Sequence, residues 1–194
     1  MKPVAFAVAG GRSQRMKVDK ALLPWGATDL LGHTLDRLGR VASATRILSG
    51  PESRYANRGV PVIVDPAPGL GPLGGLLAAL ESASSQAVLL LGVDLPLVPP
   101  DLLAHLVGLS AHADAVVPLS PGGPEPLCAV YGPACLAPAR RAVKEGRLKM
   151  TAFWPDVTVR EVGPAALRAF GDPDALFLNV NEPEDYDRAR RLVR

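Results

Sequence analysis

A chain of 194 residues with 48% hydrophobic and 21% charged side chains has a globular composition and the length of one domain, 1–194. Its 19 glycines and 20 prolines are scattered without a period, which excludes collagen, coiled-coil and low-complexity architectures. Twenty-one basic residues against 19 acidic ones leave a net charge of +2, too little for a globally basic nucleic-acid binder.

Residues 4–9 are a continuous apolar run, the pattern of a central parallel strand covered on both faces. The opening MKPVAFAVAGG mimics a short signal peptide. It leads straight into Arg12, Arg15 and Lys17 rather than a cleavage region, so it reads as a strand of a cytoplasmic protein. Leu30, Leu31, Thr34, Leu35 and Leu38 share one helix face. Residues 46–49 and 60–64 read as short strands. Leu73, Leu76, Leu77 and Leu80 recur at i, i+3, i+4, i+7 and predict a second amphipathic helix. The run 87–93 is too short for a typical helix and far short of the ~20 residues of a membrane span, so it reads as a buried strand.

Pro99-Pro100-Asp101 suits the first turn of a helix whose apolar face is Leu102, Leu103, Leu106 and Val107. Beyond Gly108 the pattern is less regular. Strands are expected at 115–118, 127–131 and 157–162, with a helical stretch at 134–145 and a last helix at 184–193. Strands alternating with helices imply right-handed βαβ units, hence a doubly wound α/β sandwich with a mostly parallel sheet. Cys128 and Cys135 lack a CxxC spacing, and His33, His105 and His112 are not grouped with them, so both read as reduced, buried thiols rather than zinc ligands.

The loop after the first strand is the richest in chemistry. Gly10 and Gly11 let the backbone approach a ligand and aim N–H groups into it. Arg12, Arg15, Lys17 and Lys20 surround a single acid, Asp19, which favours a polyanion such as a triphosphate. The loop is neither GxxxxGK[ST] nor GxGxxG. A glycine turn with solvated arginines explains a lone Gly-Gly, but the basic cluster at a strand end favours phosphate.

Asp94 follows the strand at 87–93, so its carboxylate emerges at the sheet edge beside that loop. One carboxylate plus substrate phosphates is how Mg2+ is commonly held; a turn-capping aspartate is the plain alternative. Asp65 ends the strand at 60–64 and opens a Pro- and Gly-rich loop, 66–75, that either presents backbone to a flat base or is only a tight connection. Asn179 and Asn181, at i and i+2 of an extended segment, point to one side; Asx turns before Pro183 are the alternative.

Together these segments resemble the molybdenum cofactor guanylyltransferases, within the wider nucleotidyltransferase superfamily. The resemblance rests on AGGRSQRMKVDKALLPWG (9–26), VIVDP (62–66), PGLGPLGGL (68–76), GVDLPLVPPDLL (92–103), PLCAVY (126–131) and FLNVNEPEDY (177–186), in the family's order. It implies a Rossmann-like three-layer α/β sandwich, mostly parallel, with helices on both faces. It also implies transfer of GMP from GTP to molybdopterin with Mg2+ as cofactor, and transient contacts with other cofactor-biosynthesis proteins, with no nucleic acid and no membrane as partner.

On this resemblance Val8, Ala9, Gly10, Gly11, Lys20, Asp65, Gly71 and Asp94 bind GTP, and Arg15, Lys20 and Asp94 serve catalysis. Asp94 holds the metal, and Asn179 and Asn181 lie on the acceptor side. Two positions depart from the family pattern: Lys17 stands where relatives have glycine, and Glu182 where they have threonine. A sister enzyme using CTP or another phosphorylated acceptor, and a non-catalytic GTP-binding module, are the alternatives.

Overall fold

The computed structural model describes residues 2–10, 19–65 and 69–193. After strand β1 (Val4–Val8), a two-rung hairpin of β2 (Pro24–Trp25) and β3 (Thr28–Asp29) leads into helix α1 (Leu30–Val41). Strands β4 (Ala44–Leu48) and β5 (Val62–Ile63), helix α2 (Gly71–Ser82), strand β6 (Val88–Gly92) and helix α3 (Pro100–Leu109) continue the alternation. A hairpin of β7 (Ala115–Ser120) and β8 (Gly123–Pro124) precedes β9 (Cys128–Tyr131) and helix α4 (Leu136–Lys144). Strand β10 (Val159–Val162) and helices α5 (Pro164–Leu167), α6 (Pro173–Leu176) and α7 (Pro183–Leu192) complete the described chain.

Seven strands form one sheet in the order β10-β7-β9-β6-β1-β4-β5, with β8 attached to β7. β1 pairs in parallel with both β4 and β6, β4 with β5, and β10 with β7. β9 runs antiparallel to both β6 and β7. Its direction follows from chain length: no crossover helix separates β7 from β9, and a parallel return needs a dozen or more residues.

The period-2 alternation of β1 explains the layers. Ala5 and Ala7 face one side with Leu89 and Leu91 of β6, and pack with Leu31 and Leu38 of α1 and Leu102 and Leu106 of α3. Val4 and Phe6 face the other side with Val88 and Leu90, against Leu73 and Leu76 of α2 and Ala139 and Ala142 of α4. The three-layer sandwich expected from the sequence is therefore the one observed. Leu89 is fully buried in the central strand, so Leu89→Ala is expected to cost about 2–5 kcal/mol in denaturant unfolding. A loss well below that range would mean the layer repacks.

A third, small cluster of Trp25, Leu30, Val180 and Ala189 ties the C-terminal segment to the β2–β3 hairpin, and the Tyr186 hydroxyl donates to the Pro24 carbonyl. This cluster fixes where Asn181 stands. The hairpin and the four-residue helices α5 and α6 are too short to carry a periodicity and are not visible in the sequence. The Gly-rich segment read as a loop through residue 75 is shorter than expected: α2 begins at Gly71, so Gly74 and Gly75 are buried residues of its first turns. Among the described residues, no helix is long and apolar enough to cross a membrane.

Candidate active site

Val8 lies in register with Leu48 on one side and Gly92 on the other, so three parallel strands end at one edge. Their loops converge there. Ala9 N donates to Leu48 O (2.9 Å), Val93 N to Val8 O (3.2 Å) and Asp65 N to Gly50 O (2.9 Å). A Cβ on Gly10 would stand 2.8 Å from Gly50 N, so only glycine permits this approach of the two loops. Between them opens a cavity of about 350 Å3, lined by Val8, Gly10, Gly50, Asp65, Gly71 and Leu127 among others. Four of the residues expected at a nucleotide, Val8, Gly10, Asp65 and Gly71, thus share one cavity. Burial pushes the Asp65 carboxyl above its ordinary value.

A second cluster lies at the end of β6. Lys20 Nζ donates to Asp94 Oδ2 at 3.1 Å and to Asn181 Oδ1 at 3.0 Å. The ion pair is only 18% and 22% exposed, so it is partly shielded from solvent. Asp94 folds back over Gly92, where any Cβ would run into Oδ1. Lys20 opens a short 3-10 turn, Lys20–Leu22, capped by Asp19, whose Oδ1 accepts from Ala21 N (3.1 Å).

The segment carrying Asn181 is held twice. Val180 N donates to Asp94 O (2.8 Å), and Asp185 Oδ2 accepts from the N–H groups of Asn181 (3.1 Å) and Glu182 (2.9 Å). The structure separates the asparagine pair: Asn181 joins Lys20, while Asn179 Nδ2 donates to the Phe177 carbonyl at 3.3 Å. Gly11, Arg15 and Lys17 lie outside the described residues.

Three further side chains come to this edge without a motif to announce them. Arg54 donates to Asp19 Oδ2 (3.3 Å), Ala9 O (3.4 Å) and Ser49 O (3.3 Å), which ties the first loop to the end of β4. The Tyr55 hydroxyl donates to Asp19, and burial together with that carboxylate pushes the phenol up. Glu125 lies near enough to Asp94 for the two carboxylates to interact electrostatically. Burial first, and the Asp94 charge as well, push the Glu125 carboxyl up against the opposing effect of a Ser120 hydrogen bond. The strand-end rule would have pointed to Arg54 and Tyr55, which follow β4, had the loops been read as one edge.

Among the described residues, no group of three or more His, Cys, Asp or Glu side chains is placed to hold a metal by itself. Asp94 Oδ2 and Asn181 Oδ1, however, already converge on one cationic atom, Lys20 Nζ. Two hard oxygens facing one point, at the strand-end edge that also bears the cavity, fit the sparse protein coordination typical of Mg2+.

Residues 5–156 match the family described as MobA-like NTP transferase domain. A probable molybdenum cofactor guanylyltransferase of Pelotomaculum thermopropionicum is 34% identical over 193 residues, covering 100% of this chain and 94% of that protein. The molybdenum cofactor guanylyltransferase of Cereibacter sphaeroides is 33% identical over 199 residues, covering 100% and 98%. Among solved structures, molybdopterin-guanine dinucleotide biosynthesis protein A of Archaeoglobus fulgidus superposes with a TM-score of 0.82 at 25% identity, covering 98% of each chain. With the motifs in order, the strand-end site assembled and both sequence and fold matching along the chain, the protein belongs to the MobA-like NTP transferase family.

Proposed function

We propose that the chain transfers GMP from GTP to the terminal phosphate of molybdopterin, releasing pyrophosphate and forming the guanine dinucleotide cofactor. The observation that carries this reading is the convergence of Lys20, Asp94 and Asn181 beside the Asp65 cavity. Relatives at 33–34% identity carry the name of this activity.

In the proposed reaction an oxygen of the acceptor phosphate attacks the α-phosphorus of GTP. The bond from that phosphorus to the bridging oxygen breaks, and its electron pair leaves with pyrophosphate. A phosphate monoester has a second pKa of about 6, so the attacking oxygen is already ionised near neutral pH and no side-chain base is needed. Catalysis then rests on positioning and charge.

The proposed roles rest on the geometry for the described residues and on the family resemblance alone for Gly11 and Arg15. Backbone from Val8 to Gly11 cradles the phosphates, Asp65 receives the base with Gly71 at its side, and Lys20 and Arg15 neutralise the leaving pyrophosphate. Asn181, beside Lys20, faces the acceptor, whereas Asn179, bonded to the Phe177 carbonyl, is given no acceptor contact. Mg2+ held by Asp94, with Asn181 Oδ1 in reach, would supply charge neutralisation at the triphosphate.

The proposed unit of activity is the whole chain, 1–194, since the segment after residue 156 contributes Asn181. Cys128 and Cys135 are buried thiols pushed up to about 12 by burial, unreactive groups that suit a reducing compartment, and the proposed location is the cytoplasm. Passing acceptor and product between enzymes implies transient contacts with other proteins of the same biosynthesis.

The test is pyrophosphate release from each of the four nucleoside triphosphates, with and without molybdopterin. Molybdopterin-dependent release from GTP is expected. The same release from CTP instead would move the protein to a cytidylyl-transferring branch. GTP with Mg2+ should also raise the melting temperature, and Lys20→Ala should weaken GTP binding about 10- to 100-fold, as for loss of a charged hydrogen bond. An unchanged thermal response in that variant would remove Lys20 from the phosphate site.

A further inference from the structure

Helix α1 turns two polar side chains, His33 and Arg37, toward the loop that follows Asp94. Arg37 is only 4% exposed. Its Nη1 donates to the carbonyls of Leu95 (2.9 Å) and Val98 (2.7 Å), its Nη2 to Thr34 Oγ1 (3.1 Å) and its Nε to His33 O (3.3 Å). All four acceptors are neutral oxygens. His33 Nε2 lies 3.0 Å from the Pro96 carbonyl. Burial, and the Arg37 charge next, hold His33 below its ordinary value, so near neutral pH it is an uncharged ring whose Nε2–H donates to that carbonyl. Three carbonyls directly after Asp94, at 95, 96 and 98, are therefore fastened to one helix.

This fastening reaches both oxygen donors of the site. Asp94 O accepts from Val180 N, and the next residue along is Asn181. Loop 95–98 thus sets Asp94, and the Asp94 backbone sets the extended segment that delivers Asn181 to Lys20. A guanidinium suits this task because its rigid fork spans two carbonyls at once, which an ammonium on a flexible stem does less well. Burial lowers the Arg37 pKa to about 10, so the fork remains charged at neutral pH.

We propose that Arg37, assisted by His33, is a positioning residue that preorganises Asp94 and Asn181 for the divalent cation and triphosphate. The proposal deepens the guanylyltransferase reading and rests on it for the identity of the ligand. Outer residues that orient metal ligands characteristically control affinity by 10- to 100-fold. Arg37→Met should therefore raise the Mg2+ concentration for half-maximal GMP transfer by ~10- to 100-fold, while the KM for GTP at saturating Mg2+ changes little. Arg37→Lys should fall between wild type and Arg37→Met.

Two readouts do not depend on turnover. The first is Mn2+ binding in the presence of a non-hydrolysable GTP analogue, followed by loss of the free-ion EPR signal, which should weaken in the same order. The second is hydrogen exchange: the Leu95 and Val180 amides, which bond to Gly92 O and Asp94 O, should exchange faster relative to the β1 and β6 amides. Arg46→Met is the control, because Arg46 also donates to a backbone carbonyl, Ser82 O at 2.6 Å, away from the site. It should lose stability without changing the metal response.

Wild-type metal binding in Arg37→Met, or equal acceleration of exchange at all amides, would overturn the proposal and leave Arg37 a core residue. If Arg37→Met does not fold, Arg37→Lys and His33→Ala carry the same comparison with smaller shifts. Absence of metal-dependent GMP transfer by the wild type would instead overturn the functional reading, and the exchange pattern would still decide the role of Arg37.

Discussion

GTP is expected to be used at least ~10⁴-fold more efficiently than CTP or ATP, and Asp65→Asn should erase most of that preference. The cavity below Asp65 is walled by glycine backbone and by apolar side chains such as Val8 and Leu127, which suits the flat face of a purine. Selectivity must then come from the polar rim. An ionised carboxylate only accepts hydrogen bonds, and guanine offers an adjacent ring N–H and amino group that both donate. Cytosine and adenine offer an amino group beside a ring nitrogen that accepts, which sets a lone pair against the carboxylate. A site built around a paired donor edge leaves buried polar atoms unmatched when the wrong base enters, and such mismatches give the largest discrimination binding can supply.

The pH dependence has a defined sign. Burial raises the Asp65 carboxyl, so as pH falls it protonates earlier than an exposed aspartate would. GTP affinity should decline with that protonation, and Asp65→Asn should flatten the decline. The ligand-free protein responds oppositely: with the folded pKa raised, the folded state binds the proton more tightly, so this group's contribution to stability is lost as pH rises through that pKa. Steady-state kcat/KM for the three nucleotides, measured across the acid range, tests both statements. A guanine preference that survives Asp65→Asn would transfer base recognition to the backbone at the start of α2.

Asp94→Asn should keep the fold and lower metal-dependent turnover by ~10²–10³-fold. The amide is isosteric and its oxygen still accepts from Lys20, so the packing over Gly92 is preserved. What is lost is the negative charge on which the proposed cation site depends. Chelation should abolish turnover of the wild type, and added Mg2+ should restore it. A folded Asp94→Asn variant that turned over normally would show that the carboxylate does not hold the metal. Comparing this variant with Lys20→Ala also separates two effects that the ion pair combines, since Lys20 shields Asp94 before ligand arrives and is proposed to meet phosphate afterwards.

Much of the fold was legible because burial writes itself into local periodicity. The run at 4–9 and the run at 87–93 announced strands covered on both faces, and they became β1 and β6 side by side at the centre of the sheet. The Leu73, Leu76, Leu77 and Leu80 spacing announced α2, whose start lies closer to Asp65 than the glycine-rich composition suggested. Elements of two to four residues left no such trace. At Glu182, where the resemblance leads one to expect threonine, Asp185 accepts from the Glu182 N–H, so the start of α7 is capped without a hydroxyl.

By itself the sequence determined the order of the longer strands and helices, the strand-end positions of Asp65 and Asp94, and the charge of the first loop, because each depends on neighbours within a few residues. Only the tertiary structure decided that Lys20 meets Asp94 across 74 positions and Asn181 across 161, that Asn179 turns away, and that Arg37 holds the Asp94 loop. Those pairings depend on sheet order and on the register of segments brought together by burial of distant apolar faces. No local spacing encodes that register, since hydrophobic burial selects which faces pack but is blind to which polar atoms then come within reach.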